Sequence, residues 1–248
     1  MNKEEFIQMN EGGVGEWWYD ARRVMLEREL SSVKSEKEII ILDLASACGG
    51  NLKVCSKYGK VIGLDIAWLS MEYCKKNQFT TLVQADAEIL PFAKESIDVV
   101  VAMDIFEHLI NDSSSMREIQ RVLKRGTGKL IFNTPAFMAL FSNHDRAFHH
   151  FRRYQVDELR EKLKIVDLEV GFITYWSFFI FPMVFIVRKI GDLFHKKKNL
   201  PQSNFNLRVP NFIDSILRLL NKVELLLIKR NIFIPFGVSI FGIASKTD

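Results

Sequence analysis

A run of β-branched and apolar residues that breaks off into small ones constrains this chain most: Ile39-Ile-Ile-Leu-Asp-Leu-Ala-Ser-Ala-Cys-Gly-Gly-Asn51. Its first half is too short for a helix of its own and reads as a strand buried on both faces. Its second half lets the backbone turn tightly and lets a ligand approach the main chain. Leu52–Tyr58 then resumes with helical spacing. Strand, small-residue turn and helix open a nucleotide-binding βαβ unit, in which N–H groups at the helix start face an anion. That commits the chain to a parallel α/β sheet.

The rest of the chain extends the pattern. Val61–Asp65 is a second buried strand, ending in an acid 22 residues after Asp43, where a carboxylate accepts hydrogen bonds from ribose hydroxyls. Trp68–Lys76 reads as the next helix, and Thr81–Phe92 as a short strand and a loop. Ser96–Asp104 is the central strand, with Ile105–Leu109 at its carboxyl end, the edge where doubly wound sheets bind ligands. Ser115–Glu118 has the spacing of a capping box, opening a helix with Ile119, Val122 and Leu123 on one face. Lys129–Pro135 is a fifth strand. Val166, Leu168, Val170 and Phe172 alternate with Asp167, Glu169 and Gly171, a half-exposed strand, and Gly237–Lys246 reads as its antiparallel partner.

Two cofactor families share this beginning. Dinucleotide enzymes use G-x-G-x-x-G, which meets Ala45, Ala47 and Gly50 here, a poor match. The turn resembles motif I of the class I S-adenosylmethionine (SAM) methyltransferases, with Asp43, Ala45, Ala47 and Gly49 aligned. Ala47 departs from the second glycine, which costs about 1 kcal/mol if φ is positive there. Asp86–Phe92 resembles the methyltransferase loop whose Asp takes the adenine amino group. Ser96–Leu109 is similar to the family's FDVV…EHL signature. The segment through Lys129–Pro135 resembles its fifth-strand pattern, with Arg125 in place of a proline. Three histidines and three arginines fall within ten residues at 144–153, and His150, Arg152, Arg153 and Tyr154 resemble a motif of ubiquinone/menaquinone-biosynthesis-type methyltransferases.

The resemblance covers residues 39–175 and 237–246. It implies a doubly wound, seven-stranded, mostly parallel Rossmann-like sheet whose last strand is antiparallel, and SAM as cofactor. The turn at Asp43, Ala45, Ala47 and Gly49 would seat the methionine end, Asp65 and Ile66 the ribose side, Asp86 and Ala87 the adenine. Asp104 closes the central strand at the same edge. The region 11–23 and the segment before the last strand also resemble an uncharacterised bacterial subgroup associated with envelope or lipid pathways.

Four regions follow: a helical cap (1–38), the core (39–175), an apolar and basic helical insertion (176–236) and the last core strand (237–248). In the cap, Trp17, Tyr19 and Arg22 either pack the cap onto the core or close over the cleft as acceptor contacts. Phe172–Val187 is sixteen residues without a charge, but a bilayer span needs about 20 residues and Pro182 interrupts it. Arg188, Lys189 and Lys196–Lys198 follow. Asn211–Arg230 reads as a helix with Phe212, Ile213, Ile216, Leu219, Leu220, Val223 and Leu227 on one face.

Residues 1–170 carry a net charge of −3 and residues 171–248 one of +7, so the most apolar part is also the basic part. That combination suits an anionic membrane surface rather than nucleic acid. A hairpin on its own sheet or a homodimer face are the other readings. The first residues lack a basic and an apolar leader region, and Cys48, Cys55 and Cys74 show no metal spacing, so reduced thiols in a cytoplasmic protein are expected.

The expected reaction is methyl transfer to a small or lipid-linked acceptor. His150 is the first candidate base for a hydroxyl acceptor, with His149 and His108 behind it. His108 reads more readily as a structural histidine than as a base. Arg152 and Arg153 would hold an anionic acceptor. The rival classes are a NAD-dependent oxidoreductase and a degenerate SAM-binding fold acting as a membrane interaction module.

Overall fold

The computed structural model describes residues 16–194 and 211–247. Its strands are β1 (Ile39–Leu44), β2 (Gly59–Asp65), β3 (Leu82–Gln84), β4 (Val99–Met103), β5 (Lys129–Pro135), β6 (Leu168–Trp176) and β7 (Ser239–Lys246). Its helices are α1 (Glu16–Ser31), α2 (Gly50–Cys55), α3 (Trp68–Lys76), α4 (Asp112–Val122), α5 (Asn143–Ala147), α6 (Val156–Ile165), α7 (Phe181–Phe194) and α8 (Asn211–Lys229). The strands form one sheet in the order β3-β2-β1-β4-β5-β7-β6. Every pair is parallel except the two made by β7, as expected for the terminal antiparallel strand.

Strand alternation divides the core in two. Val100 and Ala102 of β4 join Leu42, Leu44 and Phe132 under α4 and α6. Val99 and Val101 face the other way, with Ile41, Ile131 and Trp176 under α1. Both faces of β1 and β4 are therefore covered, which is why those strands read as continuous apolar runs. The strand order reverses between β1 and β4, opening a crevice at their carboxyl ends.

Local details differ from the sequence expectations. Helix α4 begins at Asp112, where the side chain of Asn111 accepts from the N–H of Ser114. Ser115 is buried inside that helix, so Ser115–Glu118 is not a capping box; Glu118 accepts from the N–H of Leu90 and pairs with Arg121. Val166 ends α6, and β6 begins only at Leu168 and runs on to Trp176 after an irregularity between Val170 and Phe172.

Helix α8 turns its apolar stripe partly outward. Leu217, Asn221, Glu224 and Ile228 are buried, while Ile216, Leu219 and Val223 are exposed. Polar groups choose this orientation: Asn221 donates to the carbonyl of Trp17, and Glu224 accepts from the N–H of Phe178. Arg218 pairs with Asp20 and Arg28 donates to the carbonyl of Ile228, locking α8 to α1. Among the described residues no helix is long and apolar enough to cross a membrane. The Lys196–Lys198 cluster, residues 1–15 and the side chain of Phe212 lie outside the described residues.

Glu224 makes that docking pH-sensitive. Burial pushes its carboxyl up to about 7, partly offset by the backbone N–H groups of Phe178 and Ser177. A raised folded-state value means the contribution is complete below the unfolded value, near 4.5, and fades as pH rises through 7. Thermal melts of Glu224→Gln are therefore expected to lose much of the wild type's decline between pH 5 and 8, a difference of about 1–3 kcal/mol. Parallel pH profiles for the two proteins would contradict this.

Candidate active site

The turn after β1 is strained where the sequence said it would be. Ala45 and Ala47 both adopt positive φ, 58° and 47°, as does Gly49 at 83°. Each alanine costs about 1 kcal/mol in that region. A Cβ on Gly49 would also come within 3.0 Å of the Phe79 ring. Asp65 fastens the turn: its carboxylate accepts from the N–H of Ala47 at 3.0 Å and that of Ala67 at 2.9 Å. Spare lone pairs remain on both oxygens for ribose hydroxyls. Beside it Ile66 is 67% exposed at a strand end, an apolar face for a base.

Asp43 lies fully buried in β1. Asn51 donates to its Oδ1 at 3.3 Å, while its Oδ2 has no partner. Burial pushes its carboxyl up to about 7, with Asn51 and the Arg22 charge pulling the other way. Asp86, after β3, spends one oxygen on the N–H of Glu88 at 2.8 Å and is otherwise exposed; Ala87 behind it is buried.

The cap reaches into this crevice through Arg22, which pairs with Asp104 beyond the end of β4. Its guanidinium sits about 5 Å from the rings of Trp18 and Tyr19, and its Nε is buried without a partner. Asp104 also accepts from Asn133, whose own oxygen takes the indole N–H of Trp176 at 2.7 Å. Trp17 faces α8 through its carbonyl. Arg22, which the sequence offered as an acceptor contact, thus reaches the end of β4.

The His/Arg cluster gathers around Asp145, which the sequence reading passed over. Asp145 opens α5 in a capping box with Ser142. Its Oδ1 meets His150 Nδ1 at 3.0 Å and Arg153 Nε at 2.7 Å, and its Oδ2 accepts from Arg188 at 2.9 Å. Burial alone would raise its carboxyl, but the His150 hydrogen bond and the two arginines hold it well below the usual range. Asp145 is therefore ionised and accepts from His150 Nδ1, an arrangement in which a neutral imidazole would carry its lone pair on Nε2.

Arg153 and Tyr154 are fixed in the wall rather than turned to the pocket. Arg153 is spent on Asp145 and the carbonyl of Ala136; the Tyr154 hydroxyl donates to Asp112 and lies 3.0 Å from the carbonyl of Phe106. Arg152 pairs with Asp112 and donates to the carbonyl of Ile110. His149 is exposed, with φ of 57°. The His108 ring stands edge-on to His150 at 4.6 Å, and burial pushes it down to about 3. Glu107 beside it is buried, bonded by the Thr134 hydroxyl at 3.1 Å. The sequence held a signal for Asp145, its spacing from Ser142; Glu107 is the acid of the EHL signature, which gives it no role of its own.

Known proteins decide between the two cofactor families. Residues 42–132 match the family described as a methyltransferase domain. The chain is 26% identical over 160 residues to a Mycobacterium tuberculosis protein described as a probable S-adenosylmethionine-dependent methyltransferase, covering 63% of this chain and 56% of that one. It is 34% identical over 119 residues to the ubiquinone/menaquinone biosynthesis C-methyltransferase of Wigglesworthia glossinidia brevipalpis, covering 42% and 47%. A SAM-dependent methyltransferase from Archaeoglobus fulgidus superposes with a TM-score of 0.61 at 16% identity, covering 99% of this chain and 100% of that one. These matches cover about half the length of the two curated relatives. Residues 42–132 thus match a methyltransferase domain, on a fold shared with that Archaeoglobus protein.

Proposed function

We propose that the protein transfers the methyl group of SAM to an oxygen of a small or lipid-linked acceptor, at an anionic membrane surface. One observation carries the cofactor assignment. Asp43 Oδ2 and Arg22 Nε, an acceptor and a donor, are both buried without partners at the same sheet edge. A buried unpaired polar atom costs about 1–3 kcal/mol, so the pair calls for a ligand with both an ammonium and a carboxylate. The methionine end of SAM has both. Asp65 would take the ribose, and Asp86 with Ala87 and Ile66 the adenine.

SAM, once bound, supplies an already activated methyl group on a sulfonium. The chain's work is to hold the acceptor in line, and orientation alone can contribute several kcal/mol. His150 Nε2 would take the proton that a hydroxyl acceptor gives up on methylation. Asp145 keeps His150 in the proton-accepting tautomer. Incubation with methyl-labelled SAM and a lipid extract should yield an organic-soluble labelled product. His150→Ala should lower that turnover about 100-fold while S-adenosylhomocysteine affinity stays within a few-fold. Unchanged turnover would make His150 structural.

The surface reading rests on α7, α8 and the charge balance. Met183, Ile186 and Val187 of α7 and Leu219, Val223 and Leu226 of α8 are exposed. Lys189, Lys222 and Lys229 on the same two helices are exposed as well. A polybasic cluster contributes about 1 kcal/mol per Lys/Arg near anionic lipid, and each buried apolar side chain roughly 1.5–3 kcal/mol. Co-sedimentation with anionic vesicles is expected, weakening with salt and with the triple change Lys196→Glu, Lys197→Glu, Lys198→Glu. Protein left in the supernatant at low salt would assign these helices to a lid or a dimer face.

A further inference from the structure

Four residues beyond the end of β4, a second set of groups converges that the transfer step does not use in full. Glu107, His108 and His150 each offer a donor atom, and these atoms all lie within 4.8 Å of one another. Two come from adjacent positions on the turn after β4, the third from the segment after α5. The turn is held by the N–H of Phe151 donating to the carbonyl of Glu107, which fixes the two segments together.

The chemistry of the set is specific. Glu107 is 1% exposed, yet forms no ion pair among the described residues. The nearby guanidinium of Arg153 directs its Nε to Asp145 instead. A buried carboxylate without a counterion carries a large desolvation cost, which a proton or a cation must offset. Both imidazoles stand against it with lone pairs to offer, and Asp145 orients His150 through Nδ1 as a carboxylate orients a metal-ligating histidine.

We infer that Glu107, His108 and His150 form a binding site for a divalent transition-metal cation of the zinc type. Two imidazoles and one carboxylate with an open fourth position is the ligand set of catalytic zinc. Ligand distances of about 2.0–2.2 Å require the three donors to draw together by roughly 1–1.5 Å on binding. An open fourth position would let the cation take an oxygen or a phosphate of the acceptor. A seated cation would occupy His150 Nε2, so the base role proposed above belongs to the cation-free protein. The acceptor contact rests on the methyl-transfer reading; the site itself does not.

Titration of the chelator-treated full chain with zinc chloride, read by calorimetry, tests it, with cobalt(II) absorption as a report of coordination. The expected result is one saturable equivalent with tetrahedral cobalt bands. Affinity should fall at least tenfold in both Glu107→Gln and His108→Ala, with folding checked by circular dichroism. S-adenosylhomocysteine binding is measured on the same samples. No saturable equivalent, or one that both variants retain, overturns the cation site even where the cofactor still binds. Zinc binding without cofactor binding upholds the site and overturns the methyl-transfer reading instead.

Discussion

Thermal unfolding of Asp145→Ala is expected to fall by about 10 °C relative to the parent protein. Asp145 is fully buried and answers Arg153, Arg188 and His150 at once. Its removal leaves the Arg153 guanidinium, itself buried, with only the carbonyl of Ala136. Breaking one side of such a pair costs roughly 3–5 kcal/mol, and about 2–4 °C accompanies each kcal/mol in a chain of this size. The α5 capping box is lost as well. Asp145→Asn, which keeps the shape but not the charge, should lose less. A shift below about 2 °C for the alanine variant would mean that the arginines find other partners.

Asp65→Ala is expected to weaken S-adenosylhomocysteine binding by about 10- to 100-fold. Two effects combine. The carboxylate's bonds to ribose are charge-assisted and worth roughly 1.5–3 kcal/mol. The same carboxylate holds the N–H of Ala47, in a turn that already carries two alanines at positive φ. Releasing it lets the turn relax out of the binding conformation. Isothermal calorimetry reads the change directly. An affinity within two-fold of wild type would place the ribose elsewhere.

The sheet and the acids at its strand ends were legible because their causes are local. β1, β2 and β4 are apolar runs that end in small or acidic residues, and Asp43, Asp65 and Asp104 lie at neighbouring strand ends. Pairwise partners distant in sequence were not legible. Tyr154 finds Asp112 across 42 positions, so a motif that looked like a pocket contact is part of the wall. The buried side of α8 was not legible for the same reason: Asn221 and Glu224 are polar, and only the carbonyl of Trp17 and the N–H of Phe178 explain their burial. Arg22 could be assigned to the cleft from its aromatic neighbours, but not to Asp104. The capping residue of α4 was missed because Asn111 and Ser115 offer competing starts within one turn.

The claim that the crevice between β1 and β4 is a SAM site is tested most directly by calorimetry on the unaltered protein. Titration with S-adenosylhomocysteine should give one saturable site, lost or weakened at least tenfold in Asp43→Asn, which removes the charge facing the ligand's ammonium. Titration with NADH should give no saturable heat. Saturable NADH binding with no response to SAM or S-adenosylhomocysteine would contradict the account.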